Sequence, residues 1–474
     1  KSKVPGRTDT KTGAINTTAV TLDGVEYLLQ ATMNWKITVP GEKLTEPDQN
    51  HAALKVTDKL SDTQTVCGTG ENVKDRLGLK VQAVDQINDG GLATVDLTDS
   101  TTAAADGNNL TFNIDEPTLK LPDGTSVKGW SKEYQYVISY TTCTASGGMD
   151  ASGTAYGNEA TVAGKTYKQT ASQSNRGSGT GQGVDRGSVA ISKAITNNSA
   201  AQFVPADSKF TVHVQEIDPD GKVQMEYNLA VPLNGDPVKG LNSRGKGWTV
   251  KLTEPTFPSI PGVTFGAPKF VASEGVTPSE DGTSAVATLT PASNVNVSLT
   301  NTAQLGSVTI DKKVEGPAAG LSDVKAFPIT AKIDTSALGD SFPAQADRTF
   351  DLKPGEPVTL NDLPIGAVVA FSETLPPTTD LITWAPAVIS PEKVTVTADN
   401  ATKPALVTVT NTANRTVGTF SLAKNVTGDQ AKNPAVPENV TVTATWEQDG
   451  AKQTKQLTLP TDGSSVAFGV KLYV

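Results

Sequence analysis

A lysine, a glutamate and an asparagine occur twice in this chain at matched spacing: Lys193, Glu254 and Asn301, then Lys312, Glu373 and Asn411. The step from lysine to glutamate is 61 residues in both copies. Brought together away from water, these three side chains make a reaction mixture. Burial disfavours charge, so it lowers a lysine pKa and raises that of a carboxyl. A neutral amine is a nucleophile, and a carboxamide becomes an electrophile when a protonated carboxyl hydrogen-bonds its oxygen and shuttles the proton. Loss of ammonia leaves a covalent Lys–Asn isopeptide bond, formed once per molecule and without turnover. Two plainer readings stay open: a lysine whose stem lies on apolar surface while its head reaches solvent, and a buried but unreacted hydrogen-bonded network.

The elements that must position these groups are strands, because residues two apart share a face of a strand. Val189, Ile191, Lys193 and Ile195 fall on one face, as do Trp248, Val250, Leu252 and Glu254, and Val297, Leu299, Asn301 and Ala303. The second copy repeats the pattern in Val308, Ile310, Lys312 and Val314, in Val369, Phe371, Glu373 and Leu375, and in Val407, Val409, Asn411 and Ala413. Each polar residue therefore sits on an apolar, core-facing side. The flanks match too. Gly187-Ser188-Val189-Ala190-Ile191-Ser192-Lys193 parallels Gly306-Ser307-Val308-Thr309-Ile310-Asp311-Lys312, and Thr300-Asn301-Thr302-Ala303 parallels Thr410-Asn411-Thr412-Ala413. This is an internal repeat of one domain.

With these residues in view, the repeats resemble the B-type repeat of collagen adhesin and related Gram-positive pilin and adhesin domains, more particularly those of large actinobacterial wall-anchored surface proteins. That pattern has a lysine in the first strand, a glutamate before a proline-rich turn, and an asparagine near the end of the last strand. Here the middle part reads Thr253-Glu254-Pro255-Thr256-Phe257-Pro258 and Ser372-Glu373-Thr374-Leu375-Pro376-Pro377. The resemblance implies that Glu254 and Glu373 are catalytic acids and that Lys193 joins Asn301 and Lys312 joins Asn411. It spans residues 187 to 474. The stretch from glutamate to asparagine is longer in the first copy (254 to 301) than in the second (373 to 411), which predicts a hairpin or loop insertion.

A third copy opens at Gly418-Thr419-Phe420-Ser421-Leu422-Ala423-Lys424. The matching glutamate and asparagine would fall past Val474, so Lys424 has no partner to join and the repeat is expected to continue beyond. Repeat phase sets the expected organisation: residues 1–172, a Gly/Ser-rich linker at 173–186, repeats at 187–304 and 305–415, and the start of a third at 416–474. Short alternating runs rich in Val and Thr, separated by turns such as Asp218-Pro219-Asp220-Gly221 and Lys353-Pro354-Gly355, predict an all-β chain of tandem immunoglobulin-like sandwiches in an elongated rod. Asp218 and Asp220 lack the other ligands of a calcium loop, so a hairpin turn is expected there. The joints at Gln304-Leu305 and Asn414 to Val417 are short and stiff. The linker reads as flexible, letting the first domain swing.

That first domain holds both cysteines, Cys67 and Cys143, whose even count in an exported protein favours a disulfide over two buried thiols. A cysteine in the local sequence of a thioester adhesin is absent. Asp58 alternates with Leu54, Val56 and Leu60, and Asn158 with Tyr156, Ala160 and Val162. This resembles the A-type adhesin module, where an aspartate is the acid beside a Lys–Asn pair. Lys36 lies opposite Trp35 and Ile37 and should face solvent. Lys11, in Asp9-Thr10-Lys11-Thr12-Gly13, resembles the first-strand lysine and completes a third candidate trio with Asp58 and Asn158.

The net charge of −10 and pI near 4.9 argue against a nucleic-acid partner. No stretch is apolar and long enough to span a membrane. No leader stands at the start, as expected of a mature form. Leu459-Pro460-Thr461-Asp462-Gly463 has the wrong order for a sortase signal, and a pilin-type YPK segment is missing. His51 and His213 have no metal-ligand spacing around them, and Gly177-Ser178-Gly179-Thr180-Gly181 lacks the strand, helix and lysine of a phosphate loop. Neither metal nor cofactor is expected. The expectation is a secreted surface adhesin of a bacterial cell wall, a virulence factor whose clamped stalk carries a head for host matrix, such as collagen, or for cells. Wall attachment would come through a missing C-terminal region. Two alternatives remain: a structural pilus-like subunit, and a secreted carbohydrate-active enzyme. The latter needs paired carboxylates in a cleft walled by aromatics, for which Trp130, Tyr134, Tyr136 and Tyr140 offer only a strand that core packing explains.

Overall fold

Period-two alternation of apolar residues has its expected result: the regular structure is almost entirely strand, arranged as immunoglobulin-like sandwiches of paired sheets. The computed structural model describes residues 9–85, 93–120, 123–174, 186–292 and 294–474. The linker residues 175–185, including the Gly177–Gly181 run, lie outside the described residues.

The first sandwich pairs two sheets. One runs Thr10–Ile15, Thr32–Pro40, Tyr134–Thr144, Lys80–Asp85 and Val95–Asp96, with Gln64–Thr65 beside Tyr134–Thr144. The other runs Lys165–Ser172, Ala155–Val162, Leu54–Leu60, Asn109–Ile114 and Thr101–Asp106. Their inner faces meet in one core that includes Met33, Trp35, Phe112, Tyr136, Tyr140 and Tyr156. Lys36 is exposed, as its place opposite Trp35 requires. Cys67 and Cys143 form a disulfide with Cα atoms 5.1 Å apart, packed with Leu22. Closing so long a loop stabilises by about 4 kcal/mol in the chain-entropy account.

The two repeats share a plan. In each, the opening strand lies parallel to the closing strand and is hydrogen-bonded to it: Ser188–Ile195 pairs with Asn294–Asn301, and Gly306–Glu315 with Ala405–Arg415. The second sheet of each contributes the glutamate, from Thr249–Thr256 and from Val368–Glu373. The longer first copy is explained here. Its second sheet has five strands against four, the additional one being Val276–Pro278 at the edge beside Ser284–Thr288. The Asp218–Gly221 segment is a tight turn joining Lys209–Ile217 to Val223–Pro232, with Gly221 at φ 84.

The first sandwich and the first repeat form one compact unit, and the later residues a second. The expectation of a freely swinging first domain is corrected by Met149. This residue belongs to the loop after Tyr134–Thr144, yet it is fully buried in the core of the first repeat. Its backbone bridges the edge strand Val223–Pro232: Met149 N–H donates to the Asn228 carbonyl at 2.7 Å, and Ala230 N–H to the Met149 carbonyl at 2.8 Å. Beside it the buried Asp150 accepts from Tyr156 of the first sandwich at 2.6 Å and from Lys209 of the repeat at 2.9 Å. Burying the methionine alone is worth about 2 kcal/mol.

Residues 417–474 form paired strands around Leu457, Leu459 and Phe468. Within them Lys424 is exposed.

Candidate functional site

The parallel pairing of opening and closing strands brings lysine and asparagine together. Asn301 lies opposite Ile195, two residues beyond Lys193, and Asn411 lies opposite Val314, two beyond Lys312. Residues two apart share a face, so each lysine and asparagine are diagonal neighbours pointing into the core, a separation that long side chains bridge. The glutamate descends from the facing sheet.

In the second repeat the three groups are in contact. The Lys312 ammonium donates to Glu373 Oε2, and Asn411 Nδ2 donates to the other carboxylate oxygen, Oε1. Both Lys312 and Glu373 side chains are fully inaccessible. In the first repeat Lys193 Nζ donates to Glu254 Oε1 at 2.7 Å, again between inaccessible side chains. Asn301 is fully buried, and its amide lies beside the Glu254 carboxyl, whose pKa it works to lower.

Burial sets the protonation. It pulls the Lys193 amine down to about 8, against the opposing charge of Glu254. It pushes the Glu254 carboxyl up, against the charge of Lys193. Lys312 is lowered for the same reason. Sealing the Lys193–Glu254 ion pair from water therefore narrows the gap to its neutral tautomer, amine plus carboxylic acid. A phenylalanine underlies each lysine: Phe210 with its centroid 4.5 Å from Lys193 Nζ, and Phe327 at 4.1 Å from Lys312 Nζ. Sequence reading missed both. The signal was an aromatic residue at the start of the second main strand in each copy.

The first sandwich brings its own trio together, with another layout. Lys11 comes from one sheet, and Asp58 and Asn158 from adjacent strands of the other. Lys11 Nζ donates to Asp58 Oδ1 at 3.3 Å and to Asn158 Oδ1. A bond here would join the two sheets rather than neighbouring strands. Burial lowers the Lys11 amine. Tyr140, assigned to the core by its sequence pattern, also enters this cluster: its hydroxyl donates to Asp58 Oδ2 at 2.5 Å and accepts from Asn158 Nδ2 at 3.1 Å. Trp130, Tyr134 and Tyr136 are buried in the core. His51 pairs with Glu116 and His213 with Glu226, and among the described residues no group of three or more His, Cys, Asp or Glu could hold a metal ion.

Residues 308–414 match a family described as a domain of unknown function, DUF5979. A search of curated proteins finds no match. Among solved structures, the chain is similar to the Bacillus anthracis TIE protein at 10% identity, covering 99% of this chain and 73% of that one, with a TM-score of 0.28. It is also similar to a group B streptococcus pilus 2b backbone protein at 14% identity, covering 62% and 97%, with a TM-score of 0.26. A collagen-binding domain from a Staphylococcus aureus adhesin covers 36% of this chain and all of that one at 10% identity, with a TM-score of 0.20. The fold assignment rests on the paired sheets themselves.

Proposed function

We propose that this chain is a bacterial surface adhesin whose stalk repeats are clamped by autocatalytic Lys–Asn isopeptide bonds, Lys193 to Asn301 and Lys312 to Asn411. A third such bond, Lys11 to Asn158, would lie in the head. The observation that carries the reading is the second-repeat cluster, where one inaccessible carboxylate, Glu373, bridges the lysine that would attack and the amide nitrogen that would leave.

The chemistry follows from those two contacts. Proton transfer from the Lys312 ammonium to Glu373 frees the amine lone pair. Nζ attacks Cγ of Asn411, Glu373 delivers that proton to Nδ2 and takes the second proton from Nζ as the C–N bond breaks, and the leaving group carries this proton away as ammonium. The carboxyl ends as it began, so it is a catalyst acting once. Because the joined strands are the first and last of each repeat and lie parallel, pulling on the two ends of a repeat loads the bond directly, and the rest of the sandwich carries no tension. This supports a load-bearing role at the cell surface, with attachment to the wall and a head, residues 1–172, that meets host matrix such as collagen, or cells. Nothing in this chemistry calls for turnover.

Intact mass under denaturing, reducing conditions tests the reading. The protein should be lighter than its sequence by at least two ammonia molecules, and Glu373→Ala should restore one. Releasing the ring should cost the second repeat about 5 kcal/mol, a fall in Tm of roughly 20 °C. A full sequence mass in the folded parent would end the proposal. Ladders of crosslinked chains on a denaturing gel would instead favour the pilus-like subunit.

A further inference from the structure

The first sandwich solves a reach problem that the repeats do not have. In the second repeat a glutamate touches both the lysine and the departing amide nitrogen with its two oxygens. In the first sandwich the acid is the shorter aspartate. Asp58 meets Lys11 through Oδ1, but its Oδ2 is taken up by the Tyr140 hydroxyl at 2.5 Å, and that hydroxyl in turn accepts from Asn158 Nδ2 at 3.1 Å. Tyr140 Oη is also 3.5 Å from Lys11 Nζ. The phenol therefore stands where the missing methylene of a glutamate would have carried the carboxyl. It is held there by Phe112, packed edge-on at a centroid distance of 5.3 Å, and it is 2% exposed.

We propose that Tyr140 is a catalytic residue of the first-sandwich crosslink, relaying a proton from Asp58 to the amide nitrogen that leaves Asn158. This rests on the crosslinking reading above. The steps balance. Lys11 gives a proton to Asp58 and its free amine attacks Cγ of Asn158, forming the N–C bond. As the tetrahedral centre collapses, Nδ2 becomes a basic amine and the Tyr140 hydroxyl turns to donate to it. Asp58 replaces the proton that the phenol gives up. The C–Nδ2 bond breaks as the second Nζ proton passes to Asp58 and on to the leaving group, which departs as ammonium, and both Tyr140 and Asp58 return to their starting protonation. A phenol suits the task because burial and the neighbouring Asp58 charge hold its pKa well above the ordinary value, so it stays protonated.

The test follows formation of the Lys11–Asn158 crosslinked peptide by mass spectrometry, after dilution of unfolded, uncrosslinked full-length chain into native buffer. The Lys193–Asn301 bond in the same molecules serves as an internal clock. Tyr140→Phe keeps the ring and removes only the relay. It should slow the first-sandwich bond at least tenfold and leave the internal clock unchanged. Asp58→Glu combined with Tyr140→Phe should recover most of the rate, since the longer acid reaches Nδ2 directly, a rescue that loss of packing could not produce. A Tyr140→Phe bond forming at the parental rate overturns this proposal alone, as does a slow variant with no rescue. A parent without the Lys11–Asn158 bond but with both repeat bonds overturns the head crosslink and Tyr140 together; a parent with none of the three overturns the whole crosslinking reading.

Discussion

Lys193 and Glu254 hold one exchangeable proton between them, and in the proposed crosslinking only the state with that single proton reacts. As an ion pair it converts by internal transfer to amine and acid, so its population does not change with pH between the two titrations of the pair. Above about 8, where burial has brought the amine, the shared proton is lost and the carboxylate has nothing to give the leaving ammonia. At acid pH, below the raised value of Glu254, a second proton leaves the amine as ammonium. The rate of Lys193–Asn301 bond formation should therefore be bell-shaped, falling about tenfold per unit on its alkaline limb above pH 8. Quenched refolding across pH, read by peptide mass, checks this, and a rate rising steadily to pH 10 would contradict it. In folded but unreacted protein the sign for stability is also set. The Lys193 amine binds its proton less tightly folded than unfolded, so stability rises with pH from about 8 to the ordinary lysine value.

At the scale of the element, strands place these groups only where close approach permits. Gly13 sits opposite Trp35 in the antiparallel pairing of Thr10–Ile15 with Thr32–Pro40, and a Cβ there would come within 2.1 Å of the indole ring. That ring lies 5.8 Å from the Lys11 ammonium. Gly13→Ala should push the indole aside and cost about 1–3 kcal/mol by overpacking, with loss of the Lys11–Asn158 bond; a thermal melt and peptide mass read both. The repeats' trios were legible in sequence because period two fixes the face of every residue, and duplication put Lys193 and Lys312 in one register. The insertion before Asn301 was legible as length, but its form was not, since an edge strand as short as Val276–Pro278 leaves little pattern. Tyr140 was hidden because apolar alternation gives the same signature to a packed ring and to one whose hydroxyl enters a buried polar cluster. Phe210 and Phe327 were hidden in the same way.

For the molecule as a whole, the joint between first sandwich and first repeat is decided by a loop rather than by the linker whose composition drew attention. Met149 and Asp150 sit in a Gly-rich stretch that predicts only a turn, and nothing in the sequence marks Leu229 as the partner. Met149→Ala with Asp150→Ala should free the head. Spin labels at the exposed positions Lys59 and Glu280 would report a narrow distance distribution in the parent and a broad one in the variant; equal widths would remove the latch. The parallel pairing of opening and closing strands has a different kind of consequence. Once Lys312 is joined to Asn411, no thread can be drawn through a narrow pore past that point, because two lengths of backbone must pass abreast. Under the proposed crosslink, an unfoldase that hauls the chain from its C-terminal end should stall at Asn411 and release a fragment of fixed size, turning a substrate of processive degradation into a terminal product.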